Sequence, residues 1–148
     1  MSSKAEEKAR LLLKSGNLRC TGPRVMVLSI LFESARPVTQ DQIADKLGKD
    51  GPNKVTIYRT LESLVRADLV HKAFIQERAW HFELAHNCSE QQCHPHFTCT
   101  GCNKTHCLTE MAVPMATSPH NGFVIHHQKV QLEGLCPQCN LNQQANSN

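Results

Sequence analysis

Residues 39–66 read TQDQIADKLGKDGPNKVTIYRTLESLVR. Thr39 is an N-cap residue type, and Ile43, Ala44 and Leu47 then recur on one helical face that Gly48 closes. KDGPN makes a short turn, after which Ile57, Leu61, Leu64 and Val65 recur at helical spacing. Helix, short Gly-containing turn and helix is the helix-turn-helix pattern. The second helix of such a pair enters the major groove, and its first residues meet the bases. At that end stand Asn53, Lys54, Thr56, Tyr58 and Arg59, all polar and off the apolar stripe.

Upstream, residues 5–15 carry a helical pattern with Leu11, Leu12 and Leu13, broken by Gly16-Asn17. Thr21 then fits an N-cap and Pro23 a first turn. Val25, Leu28, Leu31 and Phe32 form one buried face, which Pro37 ends. Downstream, residues 69–74 and 79–84 alternate or run apolar around Gln76-Glu77-Arg78, the mark of a β-hairpin. Helices followed by a hairpin give a winged helix. Residues 1–78 hold 14 Lys and Arg against 9 Asp and Glu, whereas residues 79–148 hold 2 against 4. The basic first part suits phosphates. A helical bundle with solvated basic faces is the competing account of the same pattern.

A chain of 148 residues suffices for one ordinary domain or two small ones. It has no apolar run long enough to span a bilayer. The polar start MSSKAEEKAR, followed by LLLK, is no signal peptide, so the cytoplasm is the expected compartment. Disulfides are rare there, so eight cysteines read first as metal ligands. Cys20 stands apart and is expected to be a small buried residue. The other seven lie between Cys88 and Cys139, and all nine histidines between His71 and His127.

Cys99-x-x-Cys102 and Cys136-x-x-Cys139 supply four thiolates, the ligand set of a closed structural zinc site. A single Cys-x-x-Cys would also suit a redox pair, but two pairs near strands favour zinc. His94 and His96 are two apart, so they share a face if the chain is extended, and Cys99 falls on the other face. They therefore make half of a second site. Glu83, with His81 at i−2, and His71 on the other hairpin strand are candidates to complete it, as is Cys107 in THCL. Imidazole with thiolate suits zinc, and imidazole with carboxylate suits iron or manganese as well. His86, His106 and His120 read as surface or capped residues. Cys88 and Cys93 remain open as spare ligands, redox-sensitive thiols or a loop feature. The tail NLNQQANSN is polar and is expected to be disordered.

Thr21-Gly22-Pro23-Arg24, then VTIYRTLESLVRADLV, HPHFTCTGC and GLCPQC, in this order and spacing, resemble the ferric uptake regulator superfamily over residues 10–140. The resemblance implies an α+β chain of two domains. Residues 1–85 would form an N-terminal winged helix-turn-helix DNA-binding domain. Residues 86–148 would form a small C-terminal α/β dimerisation and metal-binding domain with the four-cysteine zinc site. It implies a bacterial homodimer that binds palindromic operator DNA, usually as a repressor, when a sensory metal is loaded. It places Cys99, Cys102, Cys136 and Cys139 on the structural zinc site, and Glu83, His94 and His96 on the sensory site. It also places Tyr58 and Arg59 in the recognition helix, with Arg24 in the Thr-x-x-Arg motif before it.

Departures from the family pattern bear on the metal. Where iron and peroxide sensors supply a His from the DNA-binding domain, this chain has Arg36 and Pro37. A usually acidic position is Cys107. A second family site would need the residues at Pro95 and Gln128, although His126 and His127 are close by. The LVHK segment resembles that of zinc-uptake regulators, where the equivalent of His71 is a ligand. The expectation is one structural Zn2+ per subunit and a second, regulatory Zn2+ at His71, Glu83, His94, His96 and Cys107. Fe2+ or Mn2+ at that site, in an iron-responsive regulator or a peroxide sensor, is the alternative. A zinc-dependent or thiol redox enzyme is the rival class; it would leave the winged helix without a use, so no catalysis is expected.

Overall fold

The computed structural model describes residues 2–85, 92–117 and 122–145. The chain divides into two compact units at the junction of residues 86 and 87.

The first unit begins with α1 (Ser3–Ser15) and α2 (Gly22–Glu33). Pro23 sits in the first turn of α2 as its fixed φ allows, but Thr21 makes no side-chain cap hydrogen bond. β1 (Val38–Thr39) and α3 (Gln40–Leu47) follow. Thr39 and Gln42 form a reciprocal capping box: Thr39 Oγ1 accepts from the Gln42 N–H at 3.2 Å, and Gln42 Oε1 from the Thr39 N–H at 2.9 Å. Gly48 ends α3 at φ +68°, a conformation that glycine adopts without steric cost. α4 (Lys54–Arg66) starts at the Asn53 cap, whose Oδ1 accepts from the Thr56 N–H at 2.9 Å.

Two contacts pin the starts of α3 and α4 together. Gln40 Nε2 donates to the Lys54 carbonyl at 2.8 Å, and Lys54 Nζ pairs with Asp41 at 2.7 Å. The apolar stripes meet in one core that includes Leu13, Val27, Leu28, Ile43, Ile57, Leu61 and Leu64, all buried. Each such side chain contributes about 1.5–3 kcal/mol.

β2 (Val70–Gln76) and β3 (Ala79–Leu84) form the antiparallel wing. The short strand β1 joins it beside β3, which the hairpin pattern did not reveal. A bulge between Lys72 and Phe74 shifts the register, so His71 faces Glu83 and Phe74 faces His81. The wing turn holds Glu77 at φ +50° and Arg78 at φ +64°.

The second unit holds β4 (His96–Cys99), β5 (Thr105–Cys107), β6 (Gln131–Gly134) and α5 (Pro137–Ala145). The sheet order is β5-β4-β6, with β4 antiparallel to β5 and parallel to β6. The tail departs from expectation: residues up to Ala145 are helical. Pro137 provides the N-terminal φ, and the Asn140 N–H returns to the Cys136 carbonyl at 2.9 Å. Cys20 is exposed rather than buried, because it precedes α2 outside the apolar stripe.

Candidate metal centres and nucleic-acid face

Parallel pairing of β4 with β6 brings Cys99 level with Gly134, so both strands end at the same edge. A Cys-x-x-Cys knuckle follows from each end. The Thr100 N–H donates to the Gly134 carbonyl at 2.7 Å, and Asn103, at φ +57°, closes the first knuckle. The second knuckle is the start of α5, where helix N–H groups favour negative sulfur.

The ligand atoms of Cys99, Cys102, Cys136 and Cys139 all lie within 4.8 Å of one another. A tetrahedral zinc with bonds of about 2.3 Å spaces its sulfurs about 3.8 Å apart. Cys102 Sγ and Cys136 Sγ are 3.9 Å apart, so the set fits zinc. Cys99 is fully buried, and its sulfur accepts the Cys136 N–H at 3.2 Å. The backbone N–H groups of Cys136 and Cys102 hold its thiol down at about 6. The sulfurs of Cys136 and Cys99 push the Cys139 thiol up to about 12. Cys99 thus becomes a thiolate more readily than Cys139. Gly101 is needed for its small size: a Cβ there would lie 3.1 Å from Cys139 Sγ.

A second donor group occupies the same unit. The ligand atoms of His94, His96 and Cys107 lie within 4.8 Å of one another. Antiparallel register places Cys107 directly across from His96. His94 precedes β4 instead of lying in it, yet its ring centroid is 4.7 Å from that of His96. His96 is buried, and His94 and Cys107 are half-buried. Two imidazoles and a thiol fit zinc.

In the first unit, His71 Nε2 and a Glu83 carboxylate oxygen are 2.8 Å apart, as their cross-strand register dictates. His81 stacks on Phe74 with ring centroids 4.5 Å apart. Burial lowers the His81 pKa, so its ring tends to stay neutral.

Other residues took different roles. Cys93 is buried and disulfide-bonded; Cys88, His86 and His120 lie outside the described residues. His106 is half-buried rather than a surface residue, and its Nε2 is buried without a hydrogen-bond partner among the described residues. Its place opposite Phe97 in β5 turns it away from Cys107 and His96. Gln128 clamps backbone: its Oε1 accepts from the Ala116 N–H at 2.7 Å, and its Nε2 donates to the Pro114 carbonyl at 3.1 Å. Pro95 is fully buried. His126 and His127 are exposed.

On α4 the exposed face carries Tyr58 and Arg59. Asn53 and Lys54 are already engaged in the cap and the Asp41 pair, and Thr56 is half-buried. Arg24 is half-buried and braced against the fold: Nη1 donates to the Arg19 carbonyl at 3.0 Å and Nη2 to Ser63 Oγ at 2.9 Å. Arg19, Arg24, Arg59 and Thr60 line an open cleft of about 530 Å³ beside α4. The sequence reading missed Arg19, which carried no signal beyond its charge.

The ferric uptake regulator family model matches residues 15–133. The ferric uptake regulation protein of Campylobacter jejuni is 27% identical over 149 residues, covering 94% of this chain and 90% of that protein. The transcriptional regulator FurA of Mycobacterium tuberculosis is 27% identical over 139 residues, covering 91% and 92%. Among solved structures, a zinc uptake regulator complexed with zinc and DNA superimposes with a TM-score of 0.64 at 20% identity, covering 97% of this chain and 99% of that one. The Helicobacter pylori ferric uptake regulator, described with three functional metal-binding sites, gives 0.60 at 16% identity, covering 93% and 92%. These likenesses are to the fold, here a winged helix-turn-helix unit followed by a unit with a small sheet. The chain belongs to the ferric uptake regulator family.

Proposed function

We propose that this metal-responsive regulator is a zinc-dependent repressor of metal-uptake genes that binds palindromic operator DNA as a homodimer. The observation that carries the zinc assignment is the Cys107 thiol, within 4.8 Å of the His94 and His96 ligand atoms. Thiolate beside imidazole is a softer set than the carboxylate and imidazole that suit iron or manganese. One zinc would sit in the four-cysteine cluster and tie the second unit together as it folds. The regulatory ion would draw on His71 and Glu83 with His94, His96 and Cys107. A bound zinc ion supplies a fixed positive charge that thiolate, carboxylate and imidazoles share.

His71 and Glu83 belong to the first unit and the other three donors to the second. One ion held by both groups would restrict how the two units are disposed. In a dimer that restriction sets the spacing of the two recognition helices, which half-sites about one turn of DNA apart demand. The ion shifts the equilibrium only by preferring the DNA-competent arrangement. Exposed Phe123, Val124 and Leu141 in the second unit offer apolar surface that a second copy would cover. Among the described residues no helix is long and apolar enough to cross a membrane.

The named ferric uptake regulation proteins among the relatives favour a second reading, with Fe(II) at the sensory site. Operator binding by the reduced protein, titrated with buffered free zinc and free Fe(II), separates the two. Zinc dependence that weakens in Cys107→Ser supports the first. DNA binding switched by iron, with zinc bound but inert, refutes it.

A further inference from the structure

Val55 stands in the first turn of α4 and is 58% exposed, more than Tyr58 at 51%. It lies about two and a half turns before the fully buried Leu64, so the two point to opposite sides of the helix. Val55 is therefore aimed away from the core. It shares its stripe with Tyr58 and Arg59 at i+3 and i+4. Its neighbours Asn53 and Lys54 are held by the cap and by Asp41. At the entrance of the recognition helix, the outward groups are thus one aliphatic side chain, one phenol and one guanidinium.

We propose that Val55 reads the C5-methyl group of a thymine, at a fixed position in each half-site beside the base met by Arg59. An aliphatic side chain has no hydrogen bond to offer a base edge. The one apolar feature in the major groove is the thymine methyl. A β-branched side chain held on a rigid helix loses little freedom in making that contact. Covering the methyl removes one carbon group from water, which is about a fourfold effect on affinity. The proposal rests on the DNA-binding reading above and adds a specificity-determining residue to it.

The test begins with selection of operators from a random duplex pool by the zinc-loaded protein. Each thymine of a selected site is then replaced by deoxyuridine, which lacks only the methyl, and affinity is measured by fluorescence anisotropy at one salt concentration. One thymine per half-site is expected to show a loss of about fourfold. In Val55→Ser that loss disappears at the same position and persists at any other. In Val55→Ile it remains. Far-UV circular dichroism checks that both exposed substitutions leave the fold intact. Two outcomes overturn the proposal: no thymine with a deoxyuridine penalty, or a penalty unchanged at every position in Val55→Ser. A protein that enriches no sequence with zinc or with iron overturns the regulator reading as well, so the two failures are distinguishable.

Discussion

Arg24→Ala tests whether this guanidinium braces the fold or grips DNA. Its two hydrogen bonds, 3.0 Å to the Arg19 carbonyl and 2.9 Å to Ser63 Oγ, tie the entry of α2 to α4. A hydrogen bond from a charged donor is worth about 1.5–3 kcal/mol when buried. Arg24 is half-buried, so solvent screening reduces the pair to about 1.5 kcal/mol together. In a domain of this size that lowers the melting temperature by about 6–12 °C. The chain has one tryptophan, Trp80, in β3 of the first unit, so its fluorescence reports this unit alone. Urea titration of Arg24→Ala should lower the midpoint with an unchanged slope. A double-mutant cycle with Ser63→Ala should return a coupling of about 0.5–1 kcal/mol. The salt dependence of operator binding should stay as in the wild type, because a guanidinium committed to the Arg19 carbonyl and Ser63 neutralises no phosphate. Wild-type stability combined with a salt slope reduced by about 1 would refute the brace and restore Arg24 to the DNA contacts.

Glu77→Asn with Arg78→Gly should stabilise the first unit by about 1 kcal/mol, because both positions hold positive φ in a two-residue hairpin turn; an unchanged or lower Trp80 midpoint would count against the turn geometry. Burial lowers the His81 pKa below its ordinary 6.5, so the unfolded chain binds the proton more readily than the fold. Stability of the first unit should therefore fall as pH drops below 6.5, and His81→Phe, which keeps a ring on Phe74, should remove that part of the fall in urea midpoints. Gly101→Ala would set a methyl 3.1 Å from Cys139 Sγ and should weaken retention of the four-cysteine zinc by about tenfold in chelator competition. Equal retention would show that the first knuckle can relax.

Helical periodicity in residues 39–66 carried the first unit, because one face of each helix had to be apolar and the caps were local. Thr39, Gln42, Gly48 and Asn53 act within four residues of themselves, and such contacts are written in order along the chain. The tail was misread for a related reason. Helix α5 has no buried residues and shows little apolar pattern. Its start depends on Pro137 and on the knuckle carbonyl of Cys136, not on a hydrophobic stripe.

The residue types and spacings determined by themselves which chemistry is present: four thiols in two knuckles, an imidazole pair and a polar helix entrance. Tertiary structure decided which of these groups meet. Parallel β4–β6 pairing, between strands more than thirty residues apart, sets Cys99 beside the second knuckle. Antiparallel β4–β5 register puts Cys107, not His106, across from His96. A wing bulge selects Glu83 as the partner of His71. Packing commits Arg24 to the Arg19 carbonyl and Ser63 and leaves Val55 exposed. Strand pairing is non-local, and a shift of one residue reverses every side chain, so sequence alone does not determine these partners.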